Sequence, residues 1–179
     1  MNNDGVINVD DRGMIGNPTP DFIYGISGTM AYKGFDVGIE FQGVYGNEVY
    51  RDWGNGNSFA PFNYRSARLN RWTGPGTSNW EPRVTDLASI NREASTYMIE
   101  DGSYFRLRNL QLGYTFKSTT LAKANISSLR VYYNGQNLMT WTDVSGFTPE
   151  AGGSAIRFGV DGGGYPIPAI HTFGLNVTF

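Results

Sequence analysis

The sequence predicts an all-β chain, a segment of an antiparallel transmembrane β-barrel, and three observations carry that prediction. Hydrophobicity recurs with a period of two, not 3.6. Apolar-alternating runs of about 10–12 residues match the ~9–11 that a tilted strand needs to cross a bilayer. The connections run short, long, moderate, long, and short turns at one end with long loops at the other are the habit of outer-membrane barrels.

The first strand is predicted from Asp21 to Tyr32, DFIYGISGTMAY. Phe22, Tyr24, Ile26, Met30 and Tyr32 share one face, and Gly25, Ser27, Thr29 and Ala31 the other. Lys33-Gly34 is a two-residue turn signal. Phe35, Val37, Ile39, Phe41 and Tyr45 then alternate with Asp36, Gly38, Glu40 and Gln42, which completes a tight hairpin. A third strand is expected over 103–117, where Leu110, Leu112, Tyr114 and Phe116 alternate with Asn109, Gln111, Gly113 and Thr115. Its start, Tyr104 to Arg108, carries charges and is expected nearer water. The fourth runs from Leu129 to about Thr140, and the fifth from Ala169 to Phe179. All five are expected to be antiparallel.

Between them lie a connecting loop at 1–20 and two long loops at about 47–95 and 141–168. The stretch 47–95 is rich in Gly, Pro, Trp and Arg and holds no sustained period, so it reads as one loop with a short helical turn near Thr85–Glu93. A connection that long is functional or folded against something. Its Arg71, Trp72, Trp80 and Arg83 are candidate contacts to a substrate or a covering lid, since indole faces stack on sugar rings and guanidinium forks give directed donors. Internal packing of the loop is the competing use of the same residues.

Composition narrows the class. Of 179 residues only 17% are charged, and 15% are aromatic (11 Phe, 11 Tyr, 4 Trp). That balance excludes a disordered tail. Mean hydropathy is -0.35, and no run of about 18 apolar residues offers a helical span. A net charge of -2 gives no electrostatic basis for nucleic-acid binding. Without cysteine there is no disulfide framework or thiol chemistry. The polar, acidic start MNNDGVINVDD lacks the pattern of a signal peptide.

Two terminal motifs stand out. At the C-terminus Thr172, Gly174, Val177 and Phe179 form a polar–Gly–apolar–aromatic pattern like the signal read by barrel-insertion machinery, docking by strand addition. Near the N-terminus Asn2, Asp4, the Val6 carbonyl, Asn8 and Asp11 have the spacing of oxygen donors in a calcium loop, with Gly5 at the sharp turn. That match lacks a first ligand and ends on Asp rather than Glu, and an Asp/Asn/Gly turn without metal is the alternative. No cofactor is required, and calcium is the only one suggested.

Five ordered segments carry a family resemblance: DGVINVDDRGMIGNPTPDFIYG (4–25), YKGFDVGIEFQGVYGNEVY (32–50), Arg71-Trp72-Thr73 with Pro82-Arg83, IEDGSYFRLRNLQLGYTF (99–116), and NLMTWTDVSGFTPE (137–150) with the closing GLNVTF. Together they resemble the C-terminal end of the SusC/RagA family of TonB-linked outer-membrane receptors of Bacteroidota-type bacteria. The resemblance implies a 22-stranded barrel to which this chain gives about five strands and two extracellular loops. It implies import of glycans, oligosaccharides or peptides. The implied partners are the rest of the barrel with its plug, a SusD-like surface lipoprotein, TonB through an N-terminal part absent from this sequence, and outer-membrane lipid.

Enzymatic readings find little support, and no catalytic residue is expected. The single histidine, His171, falls on the apolar face of the last strand. Glu100 and Asp101 are adjacent, so on a strand they point apart and cannot form a glycosidase pair. Two rivals remain at this stage. One is a secreted, calcium-stabilised β-sandwich that binds carbohydrate, which requires two apolar faces covering each other. The other is a barrel with a structural role in an outer-membrane assembly.

Overall fold

The computed structural model describes residues 5–6, 8–53, 65–84, 93–117, 121, 125–152 and 154–179. Among these lie eight strands: β1 (Phe22–Tyr32), β2 (Phe35–Tyr45), β3 (Glu48–Arg51), β4 (Ile99–Asp101), β5 (Tyr104–Phe116), β6 (Ser128–Thr142), β7 (Val160–Asp161) and β8 (Ile170–Thr178). The five long ones form one sheet in the order β1-β2-β5-β6-β8, antiparallel at every step. They match the five expected strands to within two residues at each end.

The hairpin closes as its sequence dictates. Lys33 (φ 48°) and Gly34 (φ 94°) are both left-handed, the geometry that matches the twist of the flanking strands. A Cβ on Gly34 would come within 2.7 Å of the Thr115 carbonyl oxygen, so no larger residue fits.

Register gathers the apolar residues onto one face. Ile26 faces Phe41, Met30 faces Val37, Val37 faces Leu112, Leu112 faces Tyr133, and Tyr133 faces Phe173. Aromatic rings collect toward both ends of this face. At one end Phe22 stacks on Tyr45 (5.1 Å), and Phe105 on Phe41 (5.0 Å) and Trp141 (5.7 Å). At the other, Tyr114 meets Phe35 (4.5 Å) and Phe116 (4.9 Å). The steps of the 11-residue β1, each about 3.3 Å and tilted by about 40°, climb about 25 Å, the height of the apolar band of a membrane barrel.

Among the described residues nothing covers that face. Met30, Phe173 and Leu175 stay 67%, 80% and 66% exposed, and the buried hydrophobic residues among those described are Val49, Met98, Tyr104 and Val144, none of them on it. The only other sheet among the described residues is the short set β4-β3-β7 at one end. The sandwich reading fails here, because it needs a second apolar face against the first.

The opposite face is polar and cross-linked. Arg130 Nε donates to Asp36 Oδ1 at 3.0 Å, and its Nη2 donates to the other carboxylate oxygen. This pair reaches from β2 to β6 across Gly113 of β5, where a side chain would collide with both partners. Arg108 Nη1 donates to Gln42 Oε1 at 2.6 Å.

Three features go beyond the sequence expectations. The register shifts at Glu40/Phe41 against β5, where Arg108 is the extra residue, and at Leu107/Asn109 against β6, where Asn137 and Leu138 together stand opposite Arg108. The bulge brings Phe105 and Leu107 onto the same face as Leu110 and Leu112, although strict alternation would separate them. The stretch 47–95 is not loop throughout: it holds β3 and a 3-10 turn, Ser66–Asn70, while the helical turn expected near Thr85–Glu93 lies outside the described residues except for Glu93. Finally, β3 pairs β7 in parallel, because one comes off β2 and the other re-enters from the second loop in the same direction.

Gly34→Val is expected to destabilise the intact barrel by about 2–3 kcal/mol, from left-handed strain plus the collision at Thr115. Gly13→Val, where a Cβ meets nothing within 4 Å, should be nearly neutral. The temperature at which each variant loses its folded, heat-modifiable gel mobility reads the difference.

Candidate functional site

Strand directions bring three segments to one end of the sheet. β1 and β8 begin there, β2 and β6 end there, and β5 begins there. The N-terminal segment up to Asp21, the loop 46–103 and the loop 143–169 therefore converge and fold on one another as a cap.

The short sheet is the centre of the cap. β3 pairs antiparallel with β4 (Tyr50 with Ile99) and parallel with β7 (Arg51 with Asp161). The N-terminal segment docks against it: Glu48 N–H donates to the Asn17 carbonyl (2.8 Å), and Asn17 N–H returns a bond to Glu48 Oε2 (2.7 Å). Ile15, Pro18, Tyr50, Ile99 and Phe158 line a small cleft between the three segments.

Charged groups hold this cap where a soluble domain would use an apolar core. Arg51, with a side chain 2% exposed, donates from Nε to Glu100 Oε1 at 2.8 Å. Its other nitrogens reach the carbonyls of Trp53 and Tyr97. Glu100 also accepts from Ser145 N–H (2.8 Å) and Oγ (2.6 Å), so one carboxylate joins β3, β4 and the second loop. Buried Asp161 accepts from Trp53 Nε1 (2.6 Å) and from Gly163 N–H (2.9 Å). Buried Glu81 accepts from the Tyr97 hydroxyl (2.9 Å) and pairs with Arg68 (3.4 Å). Burial, then the bond to Glu81, raises the Tyr97 hydroxyl pKa above the ordinary tyrosine value.

The charged start of β5 departs from its expected position. Arg106 is 5% exposed rather than near water, because the second loop folds over it. Glu150 Oε1 accepts from Arg106 Nη1 (3.0 Å) and from the Tyr104 hydroxyl (2.8 Å).

The sequence-derived candidates scatter over this architecture. Arg71, Trp72, Trp80 and Arg83 all lie on the outside of the cap. Arg71 donates to the Arg68 carbonyl (3.3 Å), Trp72 N–H to the Glu81 carbonyl (2.9 Å), and the Trp80 ring tilts against Tyr97 at 5.5 Å while staying 69% exposed. Each Trp is anchored by its loop and still presents a surface.

Of the calcium-loop residues, Asn2 and Asp4 lie outside the described residues. Gly5 has φ 80°, a left-handed turn conformation that both the metal loop and the metal-free turn would use. Asn8 and Asp11 form a capping box around the 3-10 turn Val9–Asp11: Asn8 Oδ1 accepts from Asp10 N–H (2.7 Å) and Asp11 Oδ2 from Asn8 N–H (3.2 Å). Thr172 and Gly174 lie on the polar face of β8, opposite Asn134 and Tyr132, and Val177 on the apolar face opposite Leu129. Phe179 follows the strand and is 86% exposed. His171 is on the apolar face, its Nδ1 2.9 Å from the Tyr133 hydroxyl. Glu100 and Asp101 hold different partners, Arg51 and the Ser103 N–H.

Sequence reasoning missed the residues that organise the cap: Arg51, Trp53, Glu100 and Asp161. Their long-range partners are 45 to 108 positions away in the chain, and no local period marks them.

A wall of antiparallel strands with a bare, girdled apolar face, a polar opposite face and loops folded over one end is the architecture of a β-barrel segment of the bacterial outer membrane. The comparisons with known proteins agree. The chain is 34% identical over its whole length to TonB-dependent receptor P3 of Formosa agariphila and 26% identical over 99% of its length to TonB-dependent receptor SusC of Bacteroides thetaiotaomicron. It superposes on the RagAB peptide importer in its closed-closed state with a TM-score of 0.74, at 27% identity over 93% of the chain. No family model matches it. The chain belongs to the SusC/RagA family of TonB-dependent outer-membrane receptors. It spans only 17–18% of the length of these relatives.

Arg51→Ala would strand the Glu100 carboxylate in the cap and is expected to cost it about 3–5 kcal/mol of local stability. Limited proteolysis of the intact receptor should then cut within 46–103 and 143–169 far faster, while the strands of the wall stay protected.

Proposed function

We propose that this chain supplies part of the wall and the extracellular mouth of a TonB-driven importer that takes up glycans, oligosaccharides or peptides together with a SusD-like surface lipoprotein. The convergence of three segments into one folded cap at the loop end carries the reading. A barrel wall needs only short loops to close, whereas this one builds a surface with exposed Trp72 and Trp80 and a polar inner face leading from it. The likeness to SusC and to the RagAB peptide importer supports import as the activity and a surface lipoprotein as the lid. Glu81, Glu100, Glu150 and Asp161 of the cap accept from arginine, tyrosine, tryptophan, serine and backbone donors, which supports binding and passage rather than a chemical step.

Deleting the gene for the intact receptor is expected to abolish growth on one oligosaccharide or peptide source and leave growth on its monomers unchanged. A tagged receptor should also copurify with a surface lipoprotein from the outer membrane. Unchanged growth on every oligomer offered, with the receptor shown to be present in wild-type membranes, would overturn the import reading.

A further inference from the structure

The outside of the cap carries a cationic cleft that the wall does not need. Arg65, Arg68 and Arg71 recur every third residue along the 3-10 turn Ser66–Asn70 and its two flanking positions. A 3-10 helix has three residues per turn, so side chains at i and i+3 stand one above the other. The spacing therefore lines three guanidinium-bearing residues along one side of a cleft of about 540 Å³, which Ser66, Leu69 and Val84 complete.

Among the described residues the positive charge there is not balanced. Among the described residues the only ion pair these three arginines make is Arg68 with Glu81, and Glu81 is shared with the Tyr97 hydroxyl. Arg65 rests its guanidinium over the Trp53 ring at 5.6 Å. Two donors lie out of water with no acceptor among the described residues: Arg65 Nη1 and Arg68 Nε, the latter on a residue 9% exposed. Native structures rarely leave a buried charged donor unpaired, and such a group points to an absent partner. In a chain of net charge -2, a concentration of uncompensated arginine is a local device.

We propose that this cleft binds the oxyanion groups, carboxylate or sulfate, of an acidic oligosaccharide. The planar arginine fork matches both groups with paired, charge-assisted hydrogen bonds. The rim selects sugar over peptide: Trp72 directly follows Arg71, and its N–H bonds to the carbonyl of Glu81, the residue that pairs with Arg68. Trp80 stands beside Glu81 with its ring exposed. Neither indole lines the cleft itself, but each adjoins in sequence a residue of its charge network, and their exposed rings are the flat apolar surfaces on which pyranose rings would rest. This inference rests on the import reading and narrows its substrate class.

The test uses the purified full-length receptor in detergent, titrated calorimetrically with oligogalacturonate, a sulfated dextran oligosaccharide, a neutral maltooligosaccharide of equal length, and oligoglutamate. One or both acidic sugars should bind at least tenfold more tightly than the neutral sugar and oligoglutamate, and more weakly as salt rises. The two acidic probes separate carboxylate from sulfate recognition. Arg65→Gln combined with Arg71→Gln should cut acidic-sugar binding at least tenfold. Leu69→Glu places a carboxylate in the cleft without touching the arginines and should do the same. Heat-modifiable mobility reports whether each variant barrel is folded. Equal binding of acidic and neutral sugars, oligoglutamate binding as tight as the acidic sugars, or folded variants that bind like the wild type would overturn the proposal. Cellular uptake of neutral oligomers with no such binding defeats this inference alone. Acidic-sugar binding by a receptor whose deletion changes no uptake defeats the import reading alone.

Discussion

Every backbone N–H and C=O that enters lipid must be paired within the protein, and the rest of this structure follows from that constraint. Helices long and apolar enough to cross a membrane are absent among the described residues, so the ladder of the five-stranded sheet does the pairing. It is continuous from β1 to β8, and the bulge at Arg108 shifts the register by a residue while the ladder resumes on either side. β1 and β8 are the sheet's edges, and an edge in lipid is tolerable only when another strand takes it up. The wall therefore calls for neighbouring strands on both sides, in keeping with relatives several times its length.

The same constraint explains where the core is and is not. A sheet with lipid on one side needs no hydrophobic partner there, so Met30, Phe173 and Leu175 remain bare. Its other side faces polar groups and is tied by Asp36–Arg130 and Arg108–Gln42 across strands. The protein's own burial moves to the loop end, where Val49, Met98 and Val144 are too few to hold 46–103 and 143–169 in place. Arg51, Glu100, Asp161 and Glu81 supply the order instead, each satisfied from two or more directions. Such a network fixes geometry more than it adds stability, since buried charges lose hydration for every bond they make. That suits a cap that presents a defined surface.

The cap also shows why long loops in this chain are not spacers. The parallel pairing of β3 with β7 links the first long loop to the second, and Asn17 with Glu48 links the N-terminal segment to both. With its three segments interlocked, the cap holds the arginine-lined turn at Ser66–Asn70 and the indoles of Trp72 and Trp80 at set positions on its outer surface.

The five long strands, their lengths, the Lys33-Gly34 turn and the lipid-facing residues were legible in the chain, because a period of two is a local property that each strand carries by itself. The ordered motifs from Asp4 to Phe179 carried the family as well. The bulge at Arg108 was not legible: Phe105 and Leu107 differ in parity from Leu110 and Leu112, and only pairing with β2 and β6 shows that all four share a face. Nor was the cap, whose β7 has two residues and whose ties join Trp53 to Asp161 and Arg51 to Glu100. Those contacts arise between segments far apart in sequence, and they exist only after the strands have brought three chain ends to one side of the sheet. Local alternation settled the wall, and only tertiary convergence decided the mouth.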